Sequence, residues 1–463
     1  HPDALLFYRM GDFYEMFFDD AAAAAESLDI ALTKRGKHND NDIPMCGVPV
    51  HAAEGYLLTL IRKGYRVGVC EQLESPAEAK KRGYKAIVKR DVVRLVTPGT
   101  LTEDSLLNAR SHNYLAAFVE VRDQAAIAWV DISTGMFNAM KANQTRLGPE
   151  LARLSPSELI VPQAIENDLH ELVTEFGISL TGLSGSSFDS TSGEKRLCDL
   201  FGVNTLDAYG NFDRAEIAAM GAIVDYLNIT QKGKLPLLQP PQQEQHNKTV
   251  QIDAATRRNL ELTQALSGGR AGSLLAVIDT TVTAGGARLL ERRLSAPSRV
   301  LETVSDRLNA VSHVLENIRI TEDIREKLRQ VPDLDRALSR LSLDRGGPRD
   351  LTAIRNGLTE AELIATNGLG DAPKLLSDAL KNLTGHNELI ELLDQALIAD
   401  PPLLARDGGF IASEYDEDLD GARKLRDEGR SVIAQMQTEF AAETGISTLK
   451  IKHNNVLGYF IET

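Results

Sequence analysis

The chain has 463 residues, 43% of them hydrophobic and 25% charged, which is ordinary for globular protein and leaves room for roughly three domains. A net charge of −15 at pH 7 and a pI of about 5.2 argue, taken alone, against a uniformly basic nucleic-acid surface. Cys46, Cys70 and Cys198 are too few and too scattered for a disulfide framework or zinc site, and no apolar run reaches the roughly 18 residues of a membrane span.

The cysteine usage favours a reducing cytosol. His1-Pro2 opens the chain without Met or a signal-like segment, and the chain stops inside the strand-like run from Val456 to Ile461. Both ends are therefore expected to be cut from something longer. Residues 1–104 read as mixed α/β. The stretch from Phe7 to Phe17 crowds Phe7, Tyr8, Phe13, Tyr14 and Phe17 with Met10 and Met16 around a Gly11-Asp12 break. It reads as one strand, with a bulge or a close backbone approach at the glycine. At a period of two, Phe13 and Glu15 project from the same face. Two readings stand. The pair belongs to an ordinary half-buried strand, or it faces a ligand offering both a stackable surface and a hydrogen-bonding edge, as a nucleic-acid base does.

Asp19-Asp20 before Ala21–Ala25 predicts a capped helix, Ile30–Thr33 a strand, and Lys37–Asp42 a polar loop. A helix over Val50–Lys63 stops at Gly64, and strands are expected at Arg66–Cys70 and Val92–Val96. Lys80, Lys81, Arg82, Lys85, Lys89, Arg90 and Arg94 form a basic island in which Asp91 is the one acid. It is a solvated face or a phosphate-binding one.

Over residues 105–246 the pattern resets. Tyr114–Val121 and Ala125–Ile132 predict a hairpin, Gly135–Ala139 a third strand, Pro149–Leu154 a helix and Leu159–Val161 a strand. Arg214–Leu227 reads as an amphipathic helix, and Gln231–His246, with three prolines, as a linker. Residues 247–446 are expected to be almost wholly helical. Helices are predicted at 254–266, 285–294, 300–315, 320–330, 334–343, 350–366, 373–383 and 387–397. A last helix from Tyr415 to about Thr444 carries Leu419, Ala422, Leu425, Gly429, Val432, Met436 and Phe440 near a coiled-coil period, and would reach on the order of 45 Å. Residues 447–463 turn to strand.

Three catalytic readings find little support. The two Gly-Lys pairs run into His38 and Leu235, so the nucleotide-binding loop, Gly-Lys followed by Ser or Thr, is missing. Asp416 to Gly421 matches the opening of a calcium loop, but Arg423 sits where an aliphatic belongs, and acids at a helix start explain the run equally well. Asp131 ends a strand as a metal-binding aspartate of a ribonuclease-H-like fold would, yet no second strand ends in a matching acid. A turn is the better reading.

The aromatic stretch, with Gly-Asp-Phe-Tyr-Glu at its centre, resembles the mismatch-reading motif of the MutS family of DNA mismatch-repair proteins. Leu32–Arg35, Ile43–Pro49, Cys70–Gln72, Arg94–Thr100, Asp253–Glu261 and Arg406–Gly409 resemble family sequence as well, so the likeness runs the length of the chain. It implies a multidomain α/β and mainly α protein. A mixed α/β mismatch-binding domain (1–104) would lead to a ribonuclease-H-like α/β connector (105–246). A long-helix core and lever domain (247–446) and the start of a clamp (447–463) would follow. By the same resemblance Phe13 stacks on a mispaired base and Glu15 hydrogen-bonds its edge, with Arg9, Met10 and Arg94 as neighbours. The resemblance further implies duplex DNA with mispairs or small loops as ligand, a homodimer in the full-length protein, a MutL-like partner and a bacterial cytosolic location. ATP and Mg would belong to a C-terminal ATPase beyond residue 463, leaving this chain without cofactor or catalytic residues. A paralogue for recombination junctions, a nuclease using Asp131 and a helical scaffold are the alternatives.

Overall fold

The aromatic stretch folds back on itself rather than running straight. In the computed structural model, which describes residues 3–83, 86–367, 371–454 and 458–463, β1 (Leu5–Met10) and β2 (Phe13–Phe17) form an antiparallel hairpin. A single bulged strand was expected. Gly11, at φ +60°, instead opens a two-residue turn, and the Asp12 carbonyl accepts from the Val50 N–H at 2.9 Å. Helix α1 (Phe18–Leu28) begins one residue after β2, so Asp19 and Asp20 lie within its first turn rather than ahead of it. Both suit the helix dipole, and Asp20 also accepts from the Leu6 N–H at 2.9 Å.

The expected strand at Ile30–Thr33 and loop at Lys37–Asp42 are replaced by a second hairpin, β3 (Thr33–His38) with β4 (Asn41–Pro49). Asn39 and Asp40 close it, both at positive φ (51° and 63°), the requirement of a type I′ turn. Helix α2 (Ala53–Arg62), β5 (Val67–Gln72), α3 (Pro76–Lys81) and β6 (Arg90–Val96) complete this part. The sheet order is β3-β4-β2-β1-β5-β6, with β1 and β5 parallel. Phe7, Tyr14, Met16, Val48 and Val67 project from one face onto Ala21 and Ala24 of α1 and Leu57, Leu60 and Ile61 of α2.

The second sheet follows the predicted hairpin and third strand: β7 (Leu115–Val121), β8 (Gln124–Asp131) and β9 (Met136–Ala142) are consecutive and antiparallel. After α4 (Gln144–Leu154), β10 (Glu158–Pro162) pairs parallel to β7. Beyond α5 (Glu166–Glu175), β11 (Ser179–Leu183) pairs parallel to β10. One face is covered by α4 and α5, the other by α6 (Ser190–Phe201) and α7 (Arg214–Thr230). Helix α7 is not amphipathic. Ala215, Ala218, Met220, Ile223, Tyr226 and Leu227 leave almost no solvent face, because the sheet lies on one side and α6 on the other. The two helices touch through glycines: a Cβ on Gly221 would come within 2.4 Å of the Gly193 Cα. The proline-rich linker adds a sixth strand, β12 (Gln242–Gln243), beside β9.

The rest of this first compact unit, which runs to Gly385, is helical: α8 (Ala254–Asn259), α9 (Leu274–Ile278), α10 (Ala284–Ser295), α11 (Leu301–Glu316), α12 (Ile318–Leu328), α13 (Leu334–Ser342), α14 (Pro348–Asn367) and α15 (Lys374–Lys381). Helix α8 stops well short of the predicted residue 266, where Glu261 turns to φ +47° and its carbonyl accepts from the Leu274 N–H at 2.8 Å. Arg336, fully buried, donates to the carbonyls of Asn108 and Ser111 at 2.9 and 3.1 Å. Arg288 donates to that of Ala109 at 3.0 Å. Cations of the helical part thus fasten the segment that joins the two sheets.

The second unit, from His386, holds α16 (Asn387–Ala396), α17 (Glu417–Thr444) and the hairpin β13 (Lys450–Asn454) with β14 (Gly458–Glu462). Val456, in the strand-like run expected at the end of the chain, lies outside the described residues. Along the 28 residues of α17 the predicted seam positions Leu425, Val432 and Met436 are exposed. Among the described residues no helix is long and apolar enough to cross a membrane.

Candidate nucleic-acid interface

Strand parity divides the first sheet into a face packed on helices and an open face. The cross-strand pairs Tyr8↔Glu15 and Met10↔Phe13 put those four side chains on the open face. Phe13, the first residue after the turn, is 47% exposed, while Tyr14 and Met16 point into the core. Opposite Glu15 on β4 stands Gly47, where a Cβ would lie 3.7 Å from the Glu15 Cγ. The glycine leaves the carboxylate room to lie across the sheet. The turn that presents Phe13 is held from both sides, by Asp12 to Val50 as above and by the Arg9 Nε donating to the Gly11 carbonyl at 2.5 Å.

Glu15 does not stand alone. The Arg35 guanidinium from β3 pairs with both of its carboxylate oxygens, and the Glu15 side chain is only 12% exposed against 48% for Arg35. Further along the same face the Arg90 guanidinium lies 5.2 Å from the centre of the Tyr8 ring and donates through Nε to the Arg9 carbonyl at 2.8 Å. Strand β3 forms the sheet edge, exposed along its whole length, and carries Lys34, Arg35, Lys37 and His38. The open face thus combines an exposed ring, a carboxylate and a border of cations.

Of the residues predicted for the site, Met10, Phe13 and Glu15 are brought together, but Arg9 and Arg94 are not. Arg9 lies on the helix side, over the Tyr14 ring at 5.5 Å and 3.7 Å from Glu71. Tyr14 donates to Glu71, and burial, then that carboxylate, pushes its phenol up to about 12. Arg94 pairs with Glu103. Burial alone would raise the Glu103 carboxyl, but the Arg94 guanidinium outweighs it and holds the group below its usual range.

The basic island is dispersed in the same way. Arg82 pairs with Glu74, Arg90 stacks on Tyr8, Lys80 and Lys81 end α3, and Lys85 lies outside the described residues. Arg35, Tyr8 and Arg90 were not singled out for the site by sequence. The only signal for Arg35 was its place in the Leu32–Arg35 segment.

The other candidate centres resolve into structural roles. Asp131 is fully buried and accepts from the Ser133 N–H and Oγ at 3.0 and 2.7 Å, with His112 Nδ1 at 2.7 Å. This is the turn reading. Burial would raise its carboxyl, and the His112 contact and the Ser133 hydroxyl hold it low. Asp416 caps α17 by accepting from the Leu419 N–H at 2.7 Å. Among the described residues no cluster of three or more His, Cys, Asp or Glu side chains is placed to hold a metal.

Comparison with known proteins shows the family. The chain matches the family models described as MutS domain I over residues 1–105, MutS domain II over 113–239 and MutS domain III over 255–450. Over its whole length it is 70% identical to the DNA mismatch repair protein MutS of Roseobacter denitrificans, covering 53% of that protein. Proteins of the same name from Ruegeria sp. (strain TM1040) and Cereibacter sphaeroides (strain ATCC 17025) are 69% and 67% identical, again over all of this chain and 53% and 52% of their own length. The chain therefore spans about half the length of these relatives.

Proposed function

From the premise that this chain belongs to the MutS family, we propose that its open sheet face recognises mispaired or unpaired bases in duplex DNA and so initiates mismatch repair. The observation that carries the reading is the half-exposed Phe13 ring at a rigid turn, beside a strand carboxylate and a cationic edge. An aromatic wedge inserted at a base step unstacks it at a cost of a few kcal/mol and kinks the duplex. A paired, well-stacked step resists, whereas a mispair or an unpaired base has already lost part of that stacking. Selectivity then comes from the deformability of the DNA, and one site accepts many lesions. In this reading Phe13 is the wedge, Met10 supports it from across the hairpin, and Glu15 accepts a hydrogen bond from the displaced base edge.

The antiparallel β7-β8-β9 run continued by parallel β10 and β11 supports a ribonuclease-H-like connector, and the buried turn role of Asp131 supports a non-catalytic one. Lacking a Gly-Lys-Ser/Thr loop, residues 1–463 should neither bind ATP saturably nor hydrolyse it, which calorimetry and a phosphate-release assay check. In the complete parent an ATPase requiring Mg, a homodimer, a MutL-like partner and a cytosolic setting complete the proposal. Gel shift of the chain on matched, mispaired and four-way DNA tests the central reading. Preference for the mispair is expected; equal binding of matched and mispaired duplex, or preference for the junction, would sink it.

A further inference from the structure

We propose that Arg35 is a positioning residue that holds Glu15 in the free protein and exchanges it for a backbone phosphate only at a lesion; the inference rests on the mismatch reading above. The two partners are unequally placed. Glu15 lies in an inner strand with its side chain 12% exposed, whereas Arg35 reaches in from the sheet edge with its side chain 48% exposed. Strand β3 is irregular there: its register shifts between Lys34 and Lys37, and Gly36 takes φ +74°. The guanidinium is therefore free to swing out on a backbone paired on one side only, while the carboxylate stays where the hairpin fixes it.

Breaking the pair strands a shielded carboxylate, which is costly unless another donor takes the place of the arginine. In a matched duplex the Watson–Crick donors are engaged in pairing, and the amino hydrogens left in the grooves stay within an intact stack that Phe13 has not opened. A mispaired or unpaired base exposes an N–H, to which the Glu15 carboxylate turns as acceptor. Arg35 is then released to bind a phosphate, for which its planar fork is suited. Both charges end with partners at a lesion, and on intact DNA both keep the partner they had. Glu15 and Arg35 thus approach a matched duplex as a neutral pair, and the extra cation becomes available only after a lesion is found.

The exchange has an ionic signature. Each phosphate neutralised steepens the dependence of log K on log salt by about 0.9. The chain should therefore bind a mispaired duplex with a slope about 0.9 steeper than a matched duplex of the same length. Arg35→Gln should make the two slopes equal, and Arg35→Lys should keep them apart. Glu15→Gln should raise the matched slope to the mispaired one, because Arg35 is then free on both DNAs. Titrations of the unsubstituted chain and these variants at four salt concentrations decide it. Equal slopes in the unsubstituted chain, with its mismatch preference intact, overturn the exchange and leave the functional reading standing. A slope difference that survives Arg35→Gln also overturns it, since another cation would then be responsible. A chain with no mismatch preference at any salt overturns the functional reading and the exchange together.

Discussion

Glu15 in the first sheet and Glu158 in the second are both strand carboxylates shielded from water, and they are satisfied in opposite ways. Glu158 is fully buried and accepts four hydrogen bonds: from Thr97 Oγ1 at 2.5 Å, the Gly99 N–H at 3.0 Å, Thr181 Oγ1 at 2.7 Å and the Tyr226 hydroxyl at 2.6 Å. Each donor is neutral and sits on a packed element, and Gly99 is so close to β7 that a Cβ there would meet Leu115 at 2.8 Å. Burial, then the neighbouring carboxylate, pushes the Tyr226 phenol well above its ordinary value, so it remains a donor. Glu15 has instead one long, half-exposed cation from a sheet edge. The first arrangement fastens the turn after β6 to the start of β10 and has nothing to trade. On the exchange proposed above, the second has a partner to trade: neutral fixed donors make a joint, whereas a single half-exposed cation can leave.

The contrast breaks first at Glu158. Glu158→Ala should leave several buried donors unpaired and cost on the order of 3–5 kcal/mol, seen as a fall in the first thermal unfolding midpoint. Glu15→Ala should cost less than about 1 kcal/mol, since Arg35 is free to turn to solvent. Similar losses for the two would erase the distinction between joint and site. Next in size, Phe13→Ala should lower affinity for a mispaired duplex by about 1–3 kcal/mol, the value of one stacked base, without moving the midpoint. A collapsed midpoint would return Phe13 to the ordinary half-buried strand.

A smaller change is expected of Glu15→Gln, which keeps the shape but removes the charge. Homoduplex affinity should rise severalfold at low salt, with less change on mispaired DNA, because screening acts over about 10 Å at 0.1 M. Discrimination then shrinks from the homoduplex side. No rise at low salt would mean that the carboxylate takes no part in rejecting intact DNA.

A third carboxylate, Asp279, combines both kinds of partner. It holds Arg110, at 2.7 Å, and Arg270, and it accepts from the Thr281 hydroxyl and N–H at 2.6 and 3.0 Å. Burial opposes ionisation, but these partners outweigh it and bring the carboxyl from 3.8 down to about 2. A group depressed on folding stabilises the fold above its unfolded value of 3.8 and loses that contribution as pH falls through about 2. Asp279→Asn should therefore lower the midpoint above pH 4 and narrow its gap to the unsubstituted chain toward pH 2. A gap independent of pH would contradict the assignment.

Periodicity made the shared face of Phe13 and Glu15 legible, and the family resemblance made the pair a candidate site. Phe13 and Glu15 share a face whether the backbone runs straight or turns at Gly11, so the period-two argument survived the unexpected hairpin. The expectations that failed did so for physical reasons. Residues 33–38 gave no strand signal because an edge strand with both faces in solvent has no alternation to read. Helix α7 looked amphipathic because its few polar positions stand out in sequence, while burial depends on what lies around it. Arg94 looked like one cation of a basic island, yet the pair Val69↔Arg94 turns it to the helix side, where Glu103 waits. Arg35 could not be tied to Glu15 from sequence, since their meeting depends on the register of β2 against β4 and β4 against β3.

The central claim is that Phe13 enters the base stack selectively at a lesion and bends the duplex. End-to-end energy transfer across a short duplex labelled at both termini, with and without a central mispair, measures that bend directly. The chain should shorten the end-to-end distance of the mispaired duplex at saturating protein and leave the matched one unchanged, and Phe13→Ala should bend neither. A mispaired duplex that stays straight when saturated with the unsubstituted chain would contradict the account.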